Sequence, residues 1–229
     1  MSIAPTRIHP AASARTGPRA VVFDMDGVLV DSFDVMRDAF AVAYREVVGD
    51  GPPPFEEYSR HLGRYFPDIM DIMGLPHAML DPFVRESHRL AHRVRLFDGV
   101  RDLLVALRAR GVGLAVATGK SGPRARALLD QLGVLGLFDH VIGSDEVARS
   151  KPAPDIVLRA LELLRVPAVA AVMVGDAWTD LVSARGAGVA AIAALWGESD
   201  PDELLAREPD VVLRRPLELL ELWPDTVPD

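Results

Sequence analysis

Four short runs in the chain hold residues that could do chemistry together. The first is Phe23-Asp24-Met25-Asp26-Gly27-Val28. It closes an apolar stretch, and in extended chain residues two apart face the same way. Asp24 and Asp26 therefore emerge side by side. Two carboxylates this close need a cation, a shared proton or different surroundings. A turn at a strand end explains one of them, not both. The second run is Ala117-Thr118-Gly119-Lys120-Ser121, ahead of a helix. A hydroxyl, a glycine amide and a helix start suit an anion; alone, it also reads as a plain Ser/Thr cap. The third, Ser150-Lys151-Pro152-Ala153-Pro154, pins a lysine in a proline-stiffened loop before a helix. Its place at a helix start favours a role in holding an anion. The fourth, Val174-Gly175-Asp176-Ala177-Trp178-Thr179-Asp180, sets Asp176 at a strand tip and Asp180 about one helical turn later on the same side. An all-oxygen cluster of four carboxylates suits Mg²⁺, which takes one or two carboxylates plus waters and substrate phosphate.

The lysines stand out for their rarity. Of 25 basic residues among 229, only Lys120 and Lys151 are Lys, and both fall in these runs. A compact, movable ammonium differs from a rigid guanidinium fork, so a surviving lysine points to a need for one. Composition narrows the rest. The chain has 49% hydrophobic and 25% charged residues, which is globular. No cysteine means no disulfide framework, thiolate metal site or thiol nucleophile. A net charge of −8 argues against a nucleic-acid partner, and no apolar run reaches the length of a membrane span. The expected location is the cytoplasm, as a monomer or homodimer.

The elements that must position these runs follow from hydrophobic periodicity. Short apolar runs at 20–23, 113–117, 140–142, 171–174 and 189–195 read as buried strands. Amphipathic helices at 100–110, 123–132, 155–164 and 179–187 separate them. Gly111, Gly133 and Gly188 follow helix ends, where a left-handed cap is wanted. Alternating strand and helix means a parallel sheet with crossover helices, whose ligands sit at the carboxyl ends of the strands. All four runs fall there. About 75 residues between the first strand and Val100 break the alternation with no convincing strand. They read as helices over 35–48, 55–61, 65–73 and 82–94. Such an insertion is an expected lid. The domain expectation is a disordered tail at 1–19, a core of 20–31 and 98–229, and a helical cap at 32–97. The tail is acid-free and has three prolines and three arginines, without the apolar core of a secretory signal.

Several motifs fail their tests. Gly119-Lys120-Ser121 would end a P-loop only with glycine at Leu114. Gly186-Ala187-Gly188 with Ala191 precedes a strand, so it is no dinucleotide site. His88 and His92 share a helix face without a third ligand. With Arg85, Arg89 and Arg93 they read as a solvated face that could draw anions toward a lid.

Taken in order, Phe23-Asp24-Met25-Asp26-Gly27-Val28-Leu29, Ala117-Thr118-Gly119-Lys120, Ser150-Lys151-Pro152 and Gly175-Asp176-x-x-x-Asp180 resemble the four motifs of the haloacid dehalogenase (HAD) superfamily. The resemblance runs from Ala20 to Arg214. It implies an α/β fold, a Rossmann-like core with a central parallel sheet, and an α-helical C1 cap inserted after the first strand. The nearest subgroup is similar to phosphoglycolate phosphatase and β-phosphoglucomutase. The run 61–70 with 119–126 also resembles phosphatases of ansamycin clusters, which accompany synthesis of the 3-amino-5-hydroxybenzoate (AHBA) starter unit.

The resemblance implies roles. Asp24 would be the nucleophile and Asp26 the acid and base. Lys151 would screen charge, and Thr118 and the Gly119 amide would hold phosphate. Asp24, the Asp26 carbonyl and Asp176 would ligate Mg²⁺, with Asp180 behind them or reaching it through water. His61, Arg64 and Lys120 are expected substrate contacts. Ala177 departs from the family's usual Ser or Thr. The implied reaction is Mg²⁺-dependent hydrolysis of a small phosphorylated metabolite through an aspartyl-phosphate. A phosphomutase or a nucleotidase stays open, and a non-catalytic binding module is the reading from another class.

Overall fold

The computed structural model describes residues 17–197 and 199–223. In chain order the elements are β1 (Ala20–Phe23), β2 (Val30–Asp31), α1 (Phe33–Val47), α2 (Phe55–Ser59), α3 (Phe66–Met73), α4 (Leu80–Arg89), β3 (Arg95–Leu96), α5 (Val100–Ala109), β4 (Gly113–Thr118), α6 (Gly122–Gln131), β5 (His140–Gly143), α7 (Asp155–Leu164), β6 (Ala171–Gly175), α8 (Trp178–Gly186), β7 (Ala190–Ala194), α9 (Pro201–Leu205) and β8 (Val211–Leu213), with short 3₁₀ turns between some of them.

Six strands form one parallel sheet in the order β5-β4-β1-β6-β7-β8. The expected α/β fold with a central parallel sheet is the fold observed. Both faces are covered, which is why the strands read as unbroken apolar runs. Alternate residues of β1 go to opposite layers. Val21 and Phe23 pack with Leu103, Leu107 and Leu129 of α5 and α6. Ala20 and Val22 pack with Ile156, Ala160 and Leu181 of α7 and α8. Small residues such as Ala115 and Ala117 let the second layer sit close to the sheet. The strand order reverses around β1, whose neighbours are β4 and β6. A crevice opens at the carboxyl ends there.

Between β1 and α5 the chain leaves the sheet. Strands β2 and β3 pair antiparallel, Val30 with Leu96 and Asp31 with Arg95, and form a two-stranded stem. Helices α1 to α4 stand on this stem around their own apolar cluster, which includes Phe40, Tyr58, Phe66, Ile69, Met70 and Phe83. Phe66 and Phe83 stack with ring centroids 4.3 Å apart.

The structure corrects several details. The insertion is not strand-free: β2 and β3 are two-residue strands, too short to show alternation. β8 was missed for the same reason. The helix expected over 82–94 starts at Leu80 and stops at Arg89; a 3₁₀ turn, Ala91–Arg93, follows it. Of the tail expected at 1–19, residues 1–16 lie outside the described residues. The remainder is anchored: Arg19 donates its N–H to Ala170 at 2.7 Å, and the Trp223 indole donates to the Pro18 carbonyl at 2.8 Å. The arginine face of α4 and the turn after it is paired with acids. Arg85 pairs with Glu46, Arg89 with Glu86 and Arg93 with Asp38.

Candidate active site

Each of the four runs ends a sheet strand or follows one, and tertiary folding brings them to one point. Asp24 directly follows β1, Gly119 follows β4, Lys151 sits in the loop after β5, and Asp176 follows β6. Lys151 is the hub. Its ammonium donates to Asp24 Oδ1 at 2.7 Å, to Asp180 Oδ1 at 2.6 Å and to the Ala117 carbonyl at 3.1 Å. Its side chain is 0% exposed. Burial works against the ammonium, but Asp180 and Asp24 outweigh it and hold Lys151 charged, well above its ordinary value.

Asp24, Asp176 and Asp180 each offer a carboxylate oxygen, and these lie within 4.8 Å of one another. Three carboxylates against one ammonium leave a local charge of −2, which a divalent cation would neutralise. The donors are hard oxygens, the chemistry that Mg²⁺ takes. Burial first, opposed by Lys151 and reinforced by Asp180, pushes the Asp24 carboxyl up to about 7. Both oxygens of Asp180 are engaged, Oδ1 by Lys151 and Oδ2 by the Ala177 N–H at 3.1 Å. Asp180 is thus held from two sides beside Asp24 and Asp176. Gly27 has φ +78° and no room for a Cβ against the Asp176 carboxylate, so only glycine closes this turn.

Asp26 was expected to offer the metal its carbonyl and to use its carboxylate as acid and base. That carboxylate already has partners: Lys120 Nζ donates to Oδ1 and Oδ2 at 3.0 and 2.9 Å, and the Ser32 hydroxyl also donates to Oδ1. Burial raises the Asp26 carboxyl, but Lys120, Ser32 and then Arg124 outweigh it and hold it below the ordinary range. Lys120, expected on the substrate, is therefore on Asp26, although it still lines the cavity. Thr118 is wholly buried, and its Oγ1 accepts from the Lys120 N–H at 3.2 Å.

The insertion closes over these groups through the loop at 60–65. Thr179 donates its hydroxyl to the Leu62 carbonyl at 3.0 Å. A Cβ on Gly119 would stand 2.5 Å from the Arg64 carbonyl oxygen and 2.7 Å from that of Gly63, so two backbones meet here. Arg64 lies over the Trp178 ring at 5.2 Å and lines the cavity, with its buried Nε unpaired. His61 is in the same turn but is not among the cavity-lining residues. Burial, then Arg64, pulls its imidazole below the ordinary value. The wall opposite Asp24 comes from the insertion: Phe33, Met36, Tyr58, Phe66, Ile69 and Phe83. Arg124, in the first turns of α6, completes it. Neither this wall nor Ser32 is marked in the sequence as part of a site. Ser32 precedes a helix and reads as a cap, and the aromatics read as core.

The haloacid dehalogenase-like hydrolase family matches residues 18–188. The chain belongs to that family. A Dickeya dadantii protein, "Probable phosphatase IndB", is 35% identical over 214 residues, covering 84% of this chain and 88% of the relative. The phosphoglycolate phosphatase of Chromobacterium violaceum is 34% identical over 216 residues, covering 89% and 96%. Among solved structures, CbbY from Rhodobacter sphaeroides in complex with phosphate aligns with TM-score 0.73 and 27% identity, covering 88% of this chain and 96% of that one. A hydrolase from Pseudomonas syringae aligns with TM-score 0.78 at 23% identity, covering 88% and 96%, which supports the fold. Family and phosphatase-named relatives together support a phosphatase enzyme, as the four motifs led one to expect.

Proposed function

We propose that the protein is a Mg²⁺-dependent phosphomonoester hydrolase that works through an aspartyl-phosphate on Asp24. The observation that carries this is Lys151 bridging Asp24 and Asp180 with Asp176 beside them, a buried group of net charge −2. Asp24, the Asp26 main-chain carbonyl and Asp176 would hold the cation, with Asp180 behind. When bound, Mg²⁺ supplies charge neutralisation for the phosphoryl oxygens.

The chain's own residues do the rest. A carboxylate attacking a phosphate dianion meets repulsion, and the Lys151 ammonium screens it while fixing the Asp24 side chain. The Thr118 hydroxyl and the Gly119 N–H hold phosphoryl oxygens. Asp24 forms the new bond to phosphorus, the ester P–O bond breaks, and Asp26 gives the leaving oxygen its proton. Asp26 then takes a proton from water, the water oxygen bonds to phosphorus, and the Asp24–phosphorus bond breaks to release phosphate. Lys120 holds Asp26 as a carboxylate, the state that activates water. For the first step Lys120 turns to a substrate oxygen, which lets Asp26 carry a proton. Residues 32–97 act as the cap and 20–31 with 98–229 as the core. The cap excludes water while the phosphoenzyme exists.

The substrate is a small phosphorylated metabolite in a cytoplasmic setting. The ansamycin-cluster resemblance puts aminosugar phosphates and related AHBA precursors on the panel to be tried. Among the described residues no helix is long and apolar enough to cross a membrane. The test is phosphate release from a panel of glycolate, sugar, aminosugar and nucleoside phosphates, with Mg²⁺ and with EDTA. Metal-dependent release that falls at least about 10³-fold in Asp24→Asn is the expected result. Product that stays phosphorylated, with turnover only after a bisphosphate primes the enzyme, would replace hydrolysis with a mutase.

A further inference from the structure

The cavity over Asp24 is small. Its volume is about 50 Å³, and each water-sized occupant takes roughly 10–15 Å³ on that measure. Room for a few such occupants matches a phosphoryl group and leaves little for the organic part. A second cavity of about 300 Å³ lies directly behind it. The two share Met36, Lys120 and Arg124 as a common wall. All three are long side chains that can turn aside. Beyond the wall, α1 gives Val35, α4 gives Ser87 and His88, the following 3₁₀ turn gives Ala91, and α6 gives Ala127 and Leu128. Most of the lining surface is apolar, with the hydroxyls of Ser32 and Ser87, the His88 imidazole and the Gln131 amide among it.

Arg124 stands at the junction. Its guanidinium lies 5.5 Å from the centre of the Phe83 ring. Among the described residues no carboxylate pairs with it. The acid whose charge it feels, Asp26, is already held by Lys120 and Ser32. A half-buried guanidinium without an acid partner, open to both cavities, is set to receive an anion from outside the chain. The phosphoryl group has its own place at Asp24, so this anion belongs to another part of the ligand.

We infer that the second cavity is the subsite for the organic part of the substrate and that Arg124 takes a carboxylate on it. This rests on the phosphomonoesterase reading and adds the ligand's chemistry: a phosphate ester of an organic acid larger than glycolate, with a largely apolar skeleton. Arg124 is then a specificity-determining residue, and the apolar lining of α1, α4 and α6 sets the length accepted.

Three esters separate the terms: phosphoglycolate, phenyl phosphate and 4-carboxyphenyl phosphate. Wild type is expected to prefer 4-carboxyphenyl phosphate over phosphoglycolate at least tenfold in kcat/KM. Ala127 is exposed on α6 and outside the catalytic cavity, so Ala127→Trp fills the second cavity from its mouth. It is expected to lower kcat/KM at least tenfold for both aromatic esters and less than twofold for phosphoglycolate. Arg124→Gln is expected to bring 4-carboxyphenyl phosphate down to the level of phenyl phosphate. Equal effects on all three esters, or a wild-type preference for phosphoglycolate, would overturn the inference. Calorimetric titration with 4-hydroxybenzoate reads the subsite without turnover. Its Kd should weaken at least tenfold in both variants; no binding to wild type, or unchanged binding to the variants, overturns the subsite even where all esters are hydrolysed. Binding lost in the variants with no ester hydrolysed by wild type would instead remove the phosphatase reading and leave the subsite standing.

Discussion

Lys151→Met asks whether one ammonium holds the buried acidic cluster together. The Lys151 side chain is 0% exposed and its Nζ lies 2.7 Å from Asp24 and 2.6 Å from Asp180. At an effective dielectric of ~20, each contact is worth about 6 kcal/mol before desolvation is charged against it. Desolvation cancels much of that. The better guide is truncation of one partner of a buried pair, which costs about 3–5 kcal/mol because the other charge is left unpaired. In a chain of this size each kcal/mol lowers Tm by about 2–4 °C. The expected loss is therefore roughly 6–20 °C, measured by circular dichroism in metal-free buffer. Methionine keeps most of the length, so the loss reads charge more than volume. Adding Asp180→Asn removes one of the two orphaned carboxylates, and about half of the lost Tm should return. A single variant within 2 °C or so of wild type, or a double variant no better than the single, would refute the view that Lys151 neutralises this cluster.

Three further outcomes follow from other parts of the site. A Mg²⁺ ion held by the folded site alone would stabilise it, so millimolar Mg²⁺ should raise the Tm of wild type and leave Asp176→Asn unmoved in a thermal-shift titration. Gly119→Ala sets a Cβ 2.5 Å from the Arg64 carbonyl oxygen and lifts the cap loop from the core; kcat/KM should fall by ~10–100-fold with little change in Tm, because misplacement by an ångström is enough to misalign the reacting groups. Glu146 accepts from the Gly143 N–H at 2.9 Å and pairs with Arg126. Burial raises its carboxyl, but Arg126 and that N–H outweigh it and hold it below 4.5. A depressed carboxylate stabilises above its unfolded value and loses that contribution as pH falls through the folded one. Glu146→Gln should thus lower Tm at pH 7, with the gap closing as the pH drops below the ordinary carboxylate range.

Much of the site was legible because its chemistry is local. Asp24 and Asp26 share a strand end, and the stretch 176–180 is one turn. A buried parallel sheet demands apolar runs such as 20–23 and 171–174, so the sheet showed itself too. The two lysines were marked by their rarity and by their places in loops ahead of helices.

Pairing between runs was not legible. That Lys151 would bridge Asp24 and Asp180 while Lys120 takes Asp26 depends on loops 127 and 94 residues apart in sequence. Neither loop carries a periodicity that says which carboxylate its ammonium meets. The sequence set the Asp26 carboxylate beside that of Asp24 without saying what holds it, and only the fold gave it to Lys120 and Ser32. The aromatic wall failed for a related reason. Phe33, Tyr58, Phe66 and Phe83 have the spacing of helix cores, and hydrophobic pattern does not distinguish a side chain that fills a core from one that also faces a cavity. The sequence by itself determined the chemistry available at the strand ends, because backbone geometry over a few residues sets it. The tertiary structure alone decided how charges were shared and what the cap presents to a substrate, because those depend on contacts that the chain makes only when β1, β4 and β6 lie side by side.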